Sequence, residues 1–206
     1  MAEESPFKTD QARQYYDKGV AAYEKDNCDY AIELLTQAIS LEPENASARH
    51  FLRLAERKRL KISPPSILNK VKYIIPSIAT SWFQMQRSPE KVMEACEKVL
   101  RYNPDNVPIL MKLAKVSLKK NMIEIATKTF EEIFELDPSN IPVLKQLATI
   151  YSQKGGKEDL EKARLYFERV LKLAPHDREA DRGLKDLDAL RTIEKGEWGQ
   201  ETEKKL

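Results

Sequence analysis

Four stretches of the chain repeat one pattern of apolar and polar positions when they are aligned without gaps. They cover residues 29–45, 90–106, 124–140 and 161–177. In each stretch one small or apolar residue is followed by a second four positions later and by a third after three more. The three columns hold Ala31, Val92, Ala126 and Ala163, then Leu35, Cys96, Phe130 and Phe167, then Ala38, Val99, Ile133 and Val170. Spacings of three and four bring side chains to one face of an α-helix, so the pattern predicts four amphipathic helices.

A proline follows each predicted helix, at Pro43, Pro104, Pro138 and Pro175. Proline cannot continue a helix interior and disfavours helical backbone at the residue before it, so each helix should end there. The last two intervals between these prolines are 34 and 37 residues, whereas the first is 61, seven short of two 34-residue periods. Further helical patterns lie at residues 12–25, 107–120 and 141–154. The chain therefore predicts alternating first and second helices on a period close to 34 residues.

This order of helix, turn, second helix and closing proline resembles the tetratricopeptide repeat. The family columns match Gly19, Ala31, Leu35, Ala38 and Pro43 in the first repeat, Leu113, Ala114, Ala126, Phe130 and Pro138 in a later one, and Leu147, Ala148, Tyr151, Ala163, Phe167 and Pro175 in the last. The Trp with which the family consensus often begins is missing from every matching start. The resemblance covers roughly residues 10–60 and 88–191.

The resemblance implies an all-α fold, a right-handed α-α superhelix (solenoid) of about four helix pairs with a capping helix. One helix pair cannot bury its apolar face alone, so neighbouring pairs stack into a continuous core. Residues 178–191 are expected to form the cap. The expected organisation is a disordered N-terminus at 1–9, a repeat domain at 10–194 with an irregular insertion at 61–88, and a flexible C-terminal tail at 195–206.

The irregular insertion interrupts the repeat and is rich in apolar residues. Pro76 must break its apolar run, so two short helices are predicted, over residues 66–75 and 77–86. Two interpretations stay open. The segment is the packed core of a shortened repeat, or it presents an apolar docking surface that includes Trp82 and Phe83.

Composition narrows the function classes. The chain has 206 residues, of which 41% are hydrophobic and 33% charged, a balance typical of a soluble helical protein. A net charge of +2 gives no whole-chain attraction to nucleic acid, and no apolar run is long enough to cross a membrane. Phosphate-loop, serine-hydrolase and zinc-protease motifs are absent, so we predict that the chain is not an enzyme and needs no cofactor or metal. Two cysteines, Cys28 and Cys96, and the lack of a signal peptide favour a cytoplasmic protein.

In the tetratricopeptide-repeat family the first helix of each pair lines a concave groove, and the resemblance implies that this groove holds a partner peptide or protein. The predicted groove residues are Tyr16, Tyr23, Lys112, Lys115, Lys119, Lys145, Gln146 and Thr149. Their lysines suit an acidic segment or a chain-terminal carboxylate, and an ordinary solvated helix face is the alternative. Some family members clamp a terminal carboxylate with Lys and Asn, but Tyr16 and Val20 stand at those positions, which argues against that specificity.

The strongest basic run is residues 57–61. It closes a predicted helix, where cations complement the macrodipole, so a structural role is one interpretation. The other interpretation is a membrane- or nucleic-acid-associated accessory factor that uses this run and the apolar residues 67–85. No aromatic residue interleaves with the basic run, which disfavours RNA. The secondary surface would then comprise Arg57, Lys58, Arg59, Trp82 and Phe83.

Overall fold

The computed structural model describes residues 7–63 and 88–203, with side chains as far as Leu190. Within these ranges the regular structure is helical and contains no strand. The described helices are α1 (Asp10–Glu24), α2 (Cys28–Leu41), α3 (Ala46–Ile62), α4 (Pro89–Leu100), α5 (Val107–Lys119), α6 (Ile123–Leu136), α7 (Ile141–Lys154), α8 (Lys157–Leu173) and α9 (Arg178–Glu203). The predicted all-α helical-repeat fold is confirmed.

The three aligned columns form the buried side of the second helices α2, α4, α6 and α8. Every residue in these columns is at most 5% exposed. Phe130, at 0% exposed, is the bulkiest of the fully buried side chains in the described part of the chain. Burying a side chain such as Phe, Leu or Val contributes about 1.5–3 kcal/mol, so the columns account for much of the apolar stabilisation of each helix pair.

The last position of each aligned stretch is a helix N-cap. The Oδ1 atoms of Asn45, Asn106 and Asn140 accept hydrogen bonds from the backbone N–H three residues later, at 2.8, 3.2 and 3.3 Å. Asp177 accepts in the same way from the backbone N–H of Ala180 at 3.0 Å. An N-cap side chain satisfies a backbone N–H that the helix itself leaves free. The residue that closes one repeat therefore starts the first helix of the next.

The chain divides into two compact units, Met1–Glu132 and Ile133–Leu206, which are described separately. In the first unit α2 packs against α1 and α3, and α4 packs against α5. In the second unit α8 packs against α7 and α9. The α1–α3 part of the first unit has its own apolar core, made of Ala22, Ala31, Ile32, Leu35, Leu52 and Ala55, with Tyr16, Tyr23, Ile39 and Phe51 packed against it.

A glycine pair separates α7 from α8, where the sequence has the longer 37-residue interval. Gly155 is the C-cap of α7 and has a φ of 74°, in the left-handed region. Glycine enters this region without the steric cost of a Cβ, so it ends the helix readily. Gly156 is then the N-cap of α8.

Residues 7–9, predicted to be disordered, are instead anchored to the first unit. Thr9 is the N-cap of α1, and its backbone N–H and Oγ1 donate to Glu42 Oε1 at 2.7 and 2.9 Å. The Phe7 ring lies 4.8 Å from the Tyr16 ring, measured between centroids. The prediction overlooked Thr9 as a capping residue, which fixes the chain entering the helix.

The capping helix continues past its predicted end at Arg191. The flexibility predicted for residues 195–206 stays a prediction, but the backbone is helical as far as Glu203, where α9 ends. The physical reason is that the segment contains no proline, and its two glycines, Gly196 and Gly199, each cost only about 1 kcal/mol relative to Ala in a helix.

The irregular insertion falls mostly outside the described residues. Helix α3 ends at Ile62 and α4 begins at Pro89. The two short helices predicted between them, together with Trp82 and Phe83, lie in the part that the structure does not describe. Both interpretations of this segment stay predictions.

Candidate functional site

The three lysines predicted on α5 line one concavity in the first unit. Lys115 and Lys119 are exposed, and Lys112 is half-buried. The concavity has a volume of about 490 Å³, and its described lining is Pro108, Met111, Lys112, Lys115, Val116, Leu118 and Lys119. None of these described lining residues is acidic, so the concavity combines apolar contact surface with positive charge.

The local sequence explains why α5 presents this side. Asn106 caps the helix and Pro108 occupies its first turn, where a missing N–H costs little. The opposite side of α5 is buried and holds Ile109, Leu110, Leu113 and Ala114. The lysines lie at spacings of three and four and therefore share the remaining face.

The lysine predicted on α7 is paired within the second unit. Lys145 Nζ lies 2.9 Å from Asp177 Oδ2 and 2.5 Å from Glu179 Oε2. Hydrogen bonds to Glu179 and Asp177 raise the pKa of Lys145. Beside it, the Thr149 hydroxyl donates to the Lys145 carbonyl oxygen at 2.9 Å, and Gln146 is half-buried. Lys145 thus ties α7 to the start of α9 through these two carboxylates.

The two predicted groove tyrosines pack at the edge of the α1–α3 core. The rings of Tyr16 and Tyr23 both make edge-to-face contacts with Phe51, at centroid distances of 5.7 and 6.1 Å. Burial, together with the charge of Asp17, raises the pKa of Tyr16. Lys58 Nζ lies 4.5 Å from the centroid of the Tyr23 ring, which gives a cation–π contact.

The basic residues at the end of α3 form hydrogen bonds and ion pairs within the first unit. Arg57 Nε donates to Asp105 Oδ1 at 2.7 Å, and Lys58 Nζ lies 2.5 Å from Asp26 Oδ1. Arg59 Nη2 donates to the carbonyl oxygen of Arg101 at 2.6 Å. Each of the three cations therefore has a partner in the fold, which agrees with the structural interpretation of this run.

Sequence reasoning missed a buried ion cluster that is centred on α3 and shares Arg57 with the basic run. We call it the α3 ion cluster, and it comprises Arg49, Arg53, Glu56 and Arg57 of α3, Glu97 of α4 and Glu132 of α6. Arg53 and Glu56 are only 2% and 1% exposed. Arg53 Nη2 donates to Glu97 Oε2 at 2.7 Å, and Nη1 donates to Glu56. Arg49 donates to the other oxygen of Glu97.

Three donors converge on Glu132 at longer range. Its carboxylate oxygens lie 3.9 Å from Arg53 Nε, 3.6 Å from Arg57 Nη2 and 3.7 Å from His50 Nδ1. Arg53 Nε and Arg57 Nη2 are buried without a hydrogen-bond partner. A sequence signal did exist, because charged residues recur at helical spacing along a first helix that a repeat array would bury.

Both cysteines are buried and not joined in a disulfide. Burial raises the pKa of the Cys28 thiol, even though the residue begins α2. Burial also raises the pKa of Cys96 to about 12. Neither environment favours the thiolate, so the structure does not support a reactive role for Cys28.

Two negative observations apply to the described residues alone. None of the helices in these ranges is long and apolar enough to cross a membrane. The same ranges hold no cluster of three or more His, Cys, Asp or Glu side chains that could bind a metal ion.

The described helices are paired, the aligned columns are buried at a fixed spacing, and a side chain caps the start of each first helix. These features define a helical-repeat protein. Within it, the family model of the tetratricopeptide repeat matches residues 144–177, which run from α7 to the N-cap of α9. This stretch matches one tetratricopeptide repeat, and the chain is similar to that family there.

Several solved structures have a similar fold. The first tetratricopeptide-repeat domain of Spaghetti, bound to the HSP90 peptide SRMEEVD, is 17% identical at a TM-score of 0.50, over 59% of this chain and 94% of that one. A Bacteroides ovatus protein described as a candidate protein-binding protein is 16% identical at a TM-score of 0.50, over 88% and 98%. The Arabidopsis OM64 repeat domain is 15% identical at a TM-score of 0.49, over 59% and 98%. At these identities the likeness to the Spaghetti domain and the Bacteroides ovatus protein shows the fold alone. No curated protein matches the chain.

Proposed function

We propose that the chain is a protein-binding scaffold and that the concavity on α5 holds an acidic segment of its partner. The observation that carries this proposal is the set of three lysines, Lys112, Lys115 and Lys119, beside apolar side chains and without an acidic residue in the described lining. Carboxylates of the segment would pair with the ammonium groups of the exposed Lys115 and Lys119. Apolar side chains of the same segment would contact Met111 and Leu118, as in other mixed interfaces.

Two structural neighbours support a protein partner. The Spaghetti domain is bound to the HSP90 peptide SRMEEVD, which is acidic towards its end. The Bacteroides ovatus protein is described as a candidate protein-binding protein. Both resemble this chain in fold at low identity, so they support the class of partner and not a particular one.

The proposal assigns carboxylate binding to α5 rather than to all the predicted groove residues. Lys145 already pairs with two carboxylates, and the Thr149 hydroxyl donates within its own helix. Tyr16 and Tyr23 pack against the α1–α3 core. We therefore expect these residues, and Gln146 beside Lys145, to contribute less to binding than the α5 lysines do.

The expected binding energy is modest and salt-dependent. An exposed ion pair contributes about 0.2–1 kcal/mol, and salt screens it over roughly 8 Å at physiological ionic strength. Reversing two lysine charges removes two attractions and adds two repulsions, so a loss of about tenfold in affinity, or 1.4 kcal/mol, is expected.

Fluorescence anisotropy with synthetic peptides tests the proposal. The probe is a labelled peptide in which Glu alternates with Leu or Val, and the comparison peptide has Lys in place of every Glu. The variant is Lys115→Glu with Lys119→Glu, which leaves Lys112 in place. The matched control is Lys18→Glu with Lys157→Glu, because these lysines are exposed elsewhere and the net charge changes equally.

The acidic peptide should bind the unchanged chain and the control alike, about tenfold more weakly to the α5 variant, and more weakly as salt rises. Circular dichroism should show that both variants keep their helices. The proposal is rejected if the Lys peptide binds as well as the Glu peptide, or if the control loses as much affinity as the α5 variant.

A further inference from the structure

In the α3 ion cluster, three carboxyl groups surround one guanidinium. Arg53 donates to Glu97 and to Glu56, and its Nε lies 3.9 Å from Glu132. Glu56 belongs to α3 itself, whereas Glu97 comes from α4 and Glu132 from α6. Arg53 therefore contacts one carboxyl group of its own helix and two carboxyl groups of other helices.

These three carboxyl groups differ in the number of cationic side chains that they contact. Glu97 also accepts from Arg49, and Glu132 also faces Arg57 at 3.6 Å. Glu56 has a hydrogen bond from Arg53 alone among the cations of the cluster. It is also the most deeply buried of the three, so its negative charge is the most costly to keep.

We propose that Glu56 is a pH-responsive switch, and that its protonation sets how firmly α4 and α6 are held to α3. As a carboxylate, Glu56 competes with Glu97 for Arg53, and the two negative charges repel each other. As a neutral acid, it leaves the charge of Arg53 to the carboxylates of α4 and α6. We call the contact of α3 with α4 and α6 the α3 junction. Proton uptake by Glu56 therefore strengthens the α3 junction, and proton loss weakens it.

Other charged groups near Glu56 lie on α3 and on the described elements around it. On α3 itself Arg59 lies near enough to act on Glu56 through its charge. On the side of α1 and α2, Asp26 and Asp29 pair with Lys58 and Arg59. Within the α3 ion cluster, Arg53 and Glu97 act on Glu56 through their charges. Arg53 is the largest of the influences that lower the pKa of Glu56, and its positive charge is shared with Glu97.

The directions of the pKa shifts of Glu56 and Glu97 agree with this geometry. Burial raises the pKa of Glu56 from 4.5 to about 7, against the attraction of Arg53. Burial acts the same way on Glu97, but Arg53 and Arg49 outweigh it and hold the pKa of Glu97 below 4.5. Glu56 therefore contributes stability that is complete below pH 4.5 and is lost as the pH rises through about 7. Glu97 contributes stability that is present above pH 4.5 and is lost as the pH falls further.

The first test is a carbon-13 NMR titration of the glutamate carboxyl groups in the unchanged chain. One carboxyl resonance should titrate near pH 7, and it should be missing from the Glu56→Gln variant. If every glutamate titrates below pH 6, the proposal is wrong. This measurement does not depend on the variant being stable, because backbone-linked assignment identifies Glu56 in the unchanged chain.

The second test measures how the stability of the α3 junction changes with pH. Linkage predicts that the folding equilibrium constant of the first unit falls about tenfold between pH 6 and pH 8, because the folded pKa is near 7 and the unfolded pKa is 4.5. Hydrogen-exchange protection factors of α4 amides should fall in parallel, while those of α7, in the other unit, serve as the internal reference. Glu56→Gln should abolish the fall and keep the protection seen at pH 6.

The control variant is His50→Gln. His50 Nδ1 lies 3.7 Å from a carboxylate oxygen of Glu132, so this variant changes another polar neighbour of the α3 ion cluster and leaves Glu56 in place. The fall in α4 protection should persist in His50→Gln. If it disappears there and persists in Glu56→Gln, the histidine is the switch and the proposal is overturned.

Discussion

The contact between α8 and the capping helix α9 depends on a glycine. A Cβ built on Gly183 would lie 2.4 Å from Phe167 Cζ and 2.5 and 2.8 Å from two further atoms of the ring, whereas ordinary contacts begin at 3.4 Å. Phe167 is 5% exposed and belongs to the second aligned column. Replacing Gly183 by Ala would therefore force a buried ring to move by about 1 Å, in an interior packed too densely to absorb the shift freely.

Two opposed effects set the magnitude for Gly183→Ala. Ala is favoured over Gly within a helix by about 0.8–1 kcal/mol. Forcing an extra methyl group into a packed core costs about 1–3 kcal/mol, and a rigid aromatic ring is a poor partner for relaxation, so we take the upper half of that range. The net expectation is a destabilisation of about 1–2 kcal/mol.

Urea unfolding followed by circular dichroism measures this change. Ala189→Gly, at an exposed position of the same helix, gives the helix-propensity effect alone and should cost about 1 kcal/mol. Phe167→Leu should relieve the overlap, so Gly183→Ala should be less harmful in that background, with a coupling of about 0.5–3 kcal/mol. If Gly183→Ala instead stabilises the chain by about 1 kcal/mol, the close packing of α9 on Phe167 is refuted.

Two further predictions follow from the caps and the thiols. Asn140→Ala removes the N-cap of α7 and should cost about 1 kcal/mol in urea unfolding, whereas Asn140→Ser should retain most of the stability. A cost near zero would mean that the cap contributes nothing. Cys28 and Cys96 are buried with raised pKa values, so a thiol reagent should label both only after unfolding. Rapid labelling of the native chain would contradict their burial.

The repeat could be predicted from the sequence because its causes are local. Offsets of three and four define a helix face, and a proline marks where each helix stops. Ala31, Leu35 and Ala38 are buried as these rules require, and the same columns are buried in the other repeats. The α5 lysines were placed on one face by the same reasoning, and they do line one concavity.

The ion pairs could not be predicted because their partners are far apart in sequence. Arg53 and Glu97 are 44 residues apart, and no local spacing relates them. Lys145 was predicted to be a groove lysine, although its partner Asp177 lies 32 residues away, at the end of the last aligned stretch. Helix periodicity shows which face a charge lies on, and the tertiary fold decides which opposite charge meets it.

A buried ion cluster is a weak source of net stability. Taking each ion out of water costs several kcal/mol, and the attraction between the ions returns little beyond that cost. Apolar side chains at Arg53, Glu56 and Glu97 would hold α4 to α3 about as strongly, and that contact would not respond to protons. Apolar contacts of this kind already occur in the columns of the second helices, where Phe130 and Ile133 are fully buried. We infer that what distinguishes the α3 junction is its response to the protonation of Glu56, and not its strength.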